Sequence, residues 1–168
     1  MSLNQDISRS TSLTEEQVAG YVIEATREVF SKMVMMEVTG YFPLKEPVKS
    51  FKCSITGMVG FAGVYSGVIS IHCPVALALK ITSNMVGMEC ERVNDDLNDA
   101  IGEIANMLGG SVKHLLSNGG LDVRLSIPTV ISGEDYTVNS LSDQDCIIVP
   151  FTIEGHTMLV GLTLKKED

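Results

Sequence analysis

Three side chains in one stretch of the sequence have the types and spacing for chemistry: Asp99, Glu103 and Asn106, within NDDLNDAIGEIANMLGGSVKHLL. Steps of four and then three residues stack them on one face of an α-helix. The apolar residues Leu97, Ile101, Ile104, Met107 or Leu108, Val112 and Leu115 make a stripe largely on another face. Two acids four apart repel by a few tenths of a kcal/mol, a cost that a lysine at either position would remove. Gly102, Gly109 and Gly110 each cost ~0.8–1 kcal/mol relative to alanine inside a helix. Gly102 and Gly109 are a heptad apart, so they lie near one side and would let a neighbouring backbone approach. On these residues alone, a solvated acidic face with close helix packing is the simpler account, and a functional site is the alternative.

Other chemistries fail on spacing. Cys53, Cys73, Cys90 and Cys146 are scattered, without a CxxC pair, and His72, His114 and His156 are equally dispersed. Zinc-finger and thioredoxin-type sites are thereby excluded, and the cysteines read as reduced, mostly buried thiols. His72 and His114 read as ordinary structural or surface histidines. The glycine-rich stretch GMVGFAGVYSG contains neither GxGxxG nor GK[ST], and it sits between two strands rather than before a helix, so it is no phosphate loop.

Around this motif the expected elements are as follows. Residues 1–12 are polar and Ser/Thr-rich, a frayed tail, and 13–168 form a single domain. Thr14-Glu-Glu-Gln17 reads as a capping box. Val18, Tyr21, Val22, Ala25, Val29, Met33 and Met36 then mark about six turns of amphipathic helix, which Gly40, Pro43 and Pro47 end. Met33, Met35 and Met36 read as core packing, with an adaptable interaction surface as the alternative. From Val48 the period changes to two, predicting a hairpin whose strands join near Gly60–Gly63. Pro74 fits the first position of a second helix, capped by Gly87. The motif helix follows, from about Asn94 to Leu116. Three β-rich segments complete the chain: Asp122–Ser132, Cys146–Ile153 and Thr157–Leu164, the last two joined by a turn at Glu154-Gly155-His156. Gly67-Val-Ile-Ser-Ile71 and Gly161-Leu-Thr-Leu164 echo one another, which hints at a duplicated αββ plan. The fold class is α/β of the α+β type: an antiparallel or mixed sheet with two long helices packed on one face.

With 168 residues, 45% of them hydrophobic, the chain can build a core without disulfides or metal. Its formal net charge of −9 opposes phosphate, so neither nucleic acid nor an anionic membrane is an expected partner. No apolar run approaches a membrane span and the start lacks an apolar leader, so a cytoplasmic location is expected.

Glu103-Ile-Ala-Asn106 on a helix, with Asp99 four residues upstream of Glu103 and Pro128 following Asn106 by 22 positions, resembles the signature of the CheC/CheX/FliY chemotaxis phosphatases. The resemblance is to CheX-like members, which have a single such site in the second long helix. Neither Glu24-Ala-Thr-Arg27 nor Glu28-Val-Phe-Ser31 in the first helix has asparagine in fourth place, in keeping with one site.

This resemblance implies a CheC-like fold and hydrolysis of the phosphoryl-aspartate of a CheY-type response regulator. Asn106 would orient the attacking water and Glu103 would pair with a lysine of the regulator, with Asp99 and Pro128 in support. A carboxamide both donates and accepts, so it can hold water without a change of charge. Phosphoryl transfer asks mainly for positioning and electrostatics. The Mg²⁺ would be held by the partner's acidic pocket, with no metal or cofactor bound by this chain. The partners implied are a phosphorylated receiver domain and a second copy of the chain in a homodimer built sheet to sheet, because the final strands are apolar enough to need a covered edge. The acidic run from Asp95 would steer association with a basic surface. Two other readings are open: a non-catalytic receiver-binding adaptor, and a small-molecule domain using the glycine hairpin.

Overall fold

The computed structural model describes residues 13–41, 50–117, 121–139 and 146–166; the expected tail at 1–12 and the prolines 43 and 47 lie outside them. The first helix, α1, runs from Glu15 to Val29 and begins with the capping box the sequence spells. The Gln17 N–H donates to Thr14 Oγ1 at 3.2 Å, and the Thr14 N–H donates to Gln17 Oε1 at 2.8 Å. α1 then widens into a π-helical turn, Phe30–Val34, closed by Met35 in the left-handed region at φ 58°. The helix thus ends at Met35, before Gly40. The wider turn also moves the phase of the apolar stripe. Phe30, Val34 and Met36 are buried, while Met33 is 39% and Met35 77% exposed, so two of the three methionines expected in the core face solvent.

After β1 (Thr39–Gly40), strands β2 (Ser50–Gly63) and β3 (Tyr65–Cys73) form the hairpin. The glycine-rich stretch is itself strand, and the chain reverses at Val64, later than expected. Pro74 is the N-cap of α2 (Val75–Val86) rather than its first residue, and Gly87 closes that helix at φ 76°. The motif helix, α3, spans Asp95–Leu116 with Asn94 as N-cap, its side chain accepting from the Leu97 N–H at 3.0 Å. The segment expected at Asp122–Ser132 divides into β4 (Val123–Leu125) and β5 (Thr129–Asn139). Strands β6 (Cys146–Ile153) and β7 (His156–Lys166) close on a two-residue turn, Glu154 and Gly155, both at positive φ, the geometry that matches strand twist.

Every strand pairing is antiparallel, in the order β1-β6-β7-β3-β2-β4, with β5 also on β2. The echoing segments are partners at the sheet's centre, with Gly67 opposite Leu164 and Ser70 opposite Gly161. About that centre the two halves correspond: α1 with α3, β2–β3 with β6–β7, and β1 with β5. Each αββ unit is extended by strand, β1 in the first half and β4 with β5 in the second, and these additions pair with the other half's strands. β1 pairs β6, and β5 pairs β2.

The two long helices lie on one face of the sheet over a continuous apolar core. Ile55, Val59 and Phe61 of β2, Ile69 and Ile71 of β3, and Val160 and Leu162 of β7 meet Ile101, Ile104 and Leu108 of α3 and Val22 and Phe30 of α1. Each such fully buried aliphatic or aromatic side chain contributes about 1.5–3 kcal/mol. The opposite face of the sheet carries a polar chain. Tyr136 O–H meets Thr56 Oγ1 at 2.7 Å, Thr56 Oγ1 lies 2.9 Å from His72 Nδ1, and His72 Nε2 lies 2.8 Å from Ser70 Oγ. Burial pushes the His72 imidazole down to about 4, so it is neutral at pH 7 and serves one hydroxyl as donor and the other as acceptor. Cys73 and Cys146 are buried and Cys90 is half-buried, none of them in a disulfide.

Candidate functional site

α3 is held at both ends and along its underside. Asp95 and Asp96 in its first turn and Lys113 and His114 in its last complement the helix dipole. Leu97, Ile101, Ile104 and Leu108 are at most 1% exposed. The residues that set the height of the helix above the sheet are glycines. A Cβ at Gly57 of β2 would come within 2.8 Å of Ile101 Cγ2 and 3.1 Å of the Ile101 carbonyl oxygen. Gly109 does the same from the helix side, where a Cβ would lie 3.1 Å from Val59 Cγ1. Sequence reasoning expected Gly102 and Gly109 to admit a neighbouring backbone; both instead admit side chains of the sheet. It gave no such role to Gly57, the first glycine of the stretch GMVGFAGVYSG, although a glycine inside a strand is a signal of close approach.

With its underside fixed, α3 turns Asp99 and Glu103 fully outward and leaves Asn106 half-exposed on the same strip. Among the described residues, no ion pair or hydrogen bond engages these three side chains. Pro128 is brought to the same place from the sheet. A Cβ at Gly102 would lie 3.4 Å from Pro128 Cβ and 3.6 Å from Val130 Cγ2, so the proline packs on the turn that carries Glu103. All four residues singled out in the sequence therefore meet at one surface.

That surface has a built edge. β4 and β5 pair with the same side of β2, and the connection Ser126-Ile127-Pro128 crosses the gap between them. Ser126 clamps the connection to Gly60: its N–H donates to the Gly60 carbonyl at 2.8 Å, and its Oγ accepts from the Gly60 N–H at 2.9 Å. Ser126 Oγ also donates to the Ile127 carbonyl at 2.9 Å.

The three motif side chains lie on the solvent-facing side of the helix. A groove of about 800 Å³ lies elsewhere, between the end of α1 and α2, with Met35, Ser83, Asn84, Met88 and Cys90 among its lining. The glycine-rich hairpin is paired strand from Gly57 opposite Ile71 to Phe61 opposite Gly67. Among the described residues, no group of three or more His, Cys, Asp or Glu is placed to hold a metal ion. Nor is any helix long and apolar enough to cross a membrane. Two carboxylates and a carboxamide without internal partners among the described residues leave this face free to meet a basic or hydrogen-bonding surface.

Residues 55–152 match the family model described as chemotaxis phosphatase CheX. The CheY-P phosphatase CheX of Thermotoga maritima is 33% identical over 88 residues, which are 52% of this chain and 57% of that protein. The chain thus spans a little over half the length of the curated relative it matches. Among solved structures, the chemotaxis protein CheX of Desulfovibrio desulfuricans is 26% identical with a TM-score of 0.79, over 88% of this chain and 99% of that one. A CheX–CheY–BeF₃–Mg²⁺ complex from Borrelia burgdorferi has a chain 22% identical with a TM-score of 0.70, over 88% and 97% of the two chains, a likeness of fold.

Proposed function

The chain belongs to the chemotaxis phosphatase CheX family, and on that premise we propose that it hydrolyses the phosphoryl-aspartate of a CheY-type response regulator. The observation that carries this reading is the outward strip Asp99-Glu103-Asn106, free of internal partners among the described residues, on a helix pinned by its underside and backed by Pro128.

In this reading Glu103 pairs with a lysine beside the regulator's acyl phosphate and sets the docking geometry. Asn106, three residues on and on the same face, reaches the phosphorus from the side opposite the leaving aspartate. Its carboxamide accepts from and donates to a water, holding it in line for attack. The P–O bond to the aspartate breaks as the P–O bond to water forms, giving free carboxylate and inorganic phosphate, with the water's proton leaving to solvent. A Mg²⁺ held by the partner would offset the charge of the transferring group; the Borrelia complex holds CheX with CheY, BeF₃ and Mg²⁺. This chain supplies no ligand to that ion. Asp99 extends the acidic strip by one turn and helps steer the regulator's basic rim. Pro128 is a rigid stop that keeps the Glu103 turn at its distance from the sheet. We further propose a homodimer. Its ground is not an open edge at β7, which is paired on both sides; β6 has only Thr39–Gly40 and Tyr41 beside Pro150–Thr152 among the described residues.

The test is loss of acid-labile phosphate from a phosphorylated CheY-type receiver with Mg²⁺, with and without this protein. Acceleration that scales with protein concentration supports the phosphatase. Binding without acceleration, across several receivers of the same cell, would replace it by the adaptor reading.

A further inference from the structure

Two features flanking the motif have no use inside the molecule. The first is Gly110. It lies four residues past Asn106 and seven past Glu103, so it continues their strip by one turn. A glycine inside a helix is unfavourable, and packing explains it at Gly102 and Gly109 but not here: a Cβ at Gly110 would meet nothing within 4 Å. The second is Ile127, 84% exposed at the tip of a connection clamped on both sides, by Ser126 on Gly60 and by Pro128 on Gly102. A large apolar side chain at a loop tip is commonplace on a pliable loop. Here it is displayed on a rigid one, a single residue from the proline that touches the motif helix.

We propose that Gly110 and Ile127 complete the docking surface for the phosphorylated receiver domain: Gly110 is the bare spot on which the receiver seats, and Ile127 is the apolar knob it packs against. This rests on the phosphatase reading, which places the receiver over Glu103 and Asn106; Gly110 continues that strip along the helix, and Ile127 is next to Pro128, which lies against Gly102 on the same helix. Their chemistry is complementary. The acids supply steering and register, while an exposed isoleucine beside them supplies area that loses water on contact. Removing the side chain at 110 lets the partner's backbone come closer to the helix by about the depth of a methyl group, bringing the acyl phosphate within reach of the short Asn106 amide. The partner surface that fits has a lysine beside its phosphorylated aspartate, a flat stretch of backbone on one side and a shallow apolar dent on the other.

The experiment compares the parent chain with Gly110→Ala, Gly110→Leu, Ile127→Ser and Ile127→Leu, using a phosphorylated CheY-type receiver with Mg²⁺ and reading KM, kcat and Tm. Asn106→Ala is the control for the chemistry. Gly110→Ala is expected to raise Tm by about 2–4 °C, because the helix gains and nothing is displaced. Gly110→Leu is expected to fold as well as the parent yet raise KM by about tenfold or more, with kcat changed less. Ile127→Ser is expected to raise KM severalfold, with recovery in Ile127→Leu. If the parent accelerates dephosphorylation and Asn106→Ala abolishes it while both Gly110→Leu and Ile127→Ser keep the parent KM, the docking surface is wrong and the phosphatase reading stands. If the parent itself does not accelerate, both fall together.

Discussion

The chain contains two long helices that correspond about the centre of one sheet, and they treat their exposed acids in opposite ways. In the second half of α1, Glu24 is 2.7 Å from Arg27 and Glu28 is bonded to Lys32, so these two carboxylates each have a cation one turn away. On α3, Asp99 and Glu103 have no such partner among the described residues, and an amide follows them at Asn106. The first pattern is what a helix needs to sit in water. The second keeps two charges and a hydrogen-bonding group uncommitted, at a small cost in stability. The same scaffold, used twice, thus separates a supporting helix from one available to a partner.

The comparison can be broken at several points. The largest effect is expected from Asn106→Ala, which should slow receiver dephosphorylation by about 100- to 1000-fold, the usual loss when one positioned polar group is removed. Its Tm should stay at the parent value, because the side chain is half-exposed and unbonded within the fold. Equal rates for the two proteins would show that α3 does not work as described.

Next comes the scaffold common to both helices. His72 is held neutral down to about pH 4, against 6.5 for the free side chain. As pH falls from 6.5 towards 4 the unfolded chain binds a proton that the fold refuses, so stability drops over that window, by up to about 3 kcal/mol, and is constant in this respect above it. Urea titrations from pH 7.5 to 4 would measure the slope, and His72→Gln should flatten it.

Glu103→Ala is expected to raise the KM for phosphoreceiver about tenfold, and to lower the ionic-strength dependence of association. The smallest effects belong to α1. Arg27→Ala and Lys32→Ala should leave phosphatase kinetics unchanged. Ser31→Asn, which writes a Glu-x-x-Asn sequence into α1, should not restore activity to the Asn106→Ala protein, since Glu28 is committed to Lys32. Restoration would mean that α1 is a dormant second site.

Much of this was legible in the sequence because it depends on local periodicity. The stripe from Leu97 to Val112 fixed which face of α3 is buried, and with it the outward direction of Asp99, Glu103 and Asn106. The Thr14 capping box and the Glu154-Gly155 turn were readable for the same reason. What could not be read depends on distant partners. β1 is two residues long and has no pattern to betray that it crosses to β6. The π-turn at Phe30–Val34 breaks the period on which the reading of Met33 rested. Gly57 and Gly102 matter only once a helix and a sheet are known to meet there, and Pro128 gains its place from that meeting.

The most direct test of the division between the helices is a single-turnover decay of one phosphorylated CheY-type receiver with Mg²⁺, mixed in turn with the parent, Asn106→Ala and Glu28→Ala. Rapid decay is expected with the parent and with Glu28→Ala, and the receiver's own slow rate with Asn106→Ala. Loss of activity in Glu28→Ala as large as in Asn106→Ala, or rapid decay with all three proteins, would contradict that division.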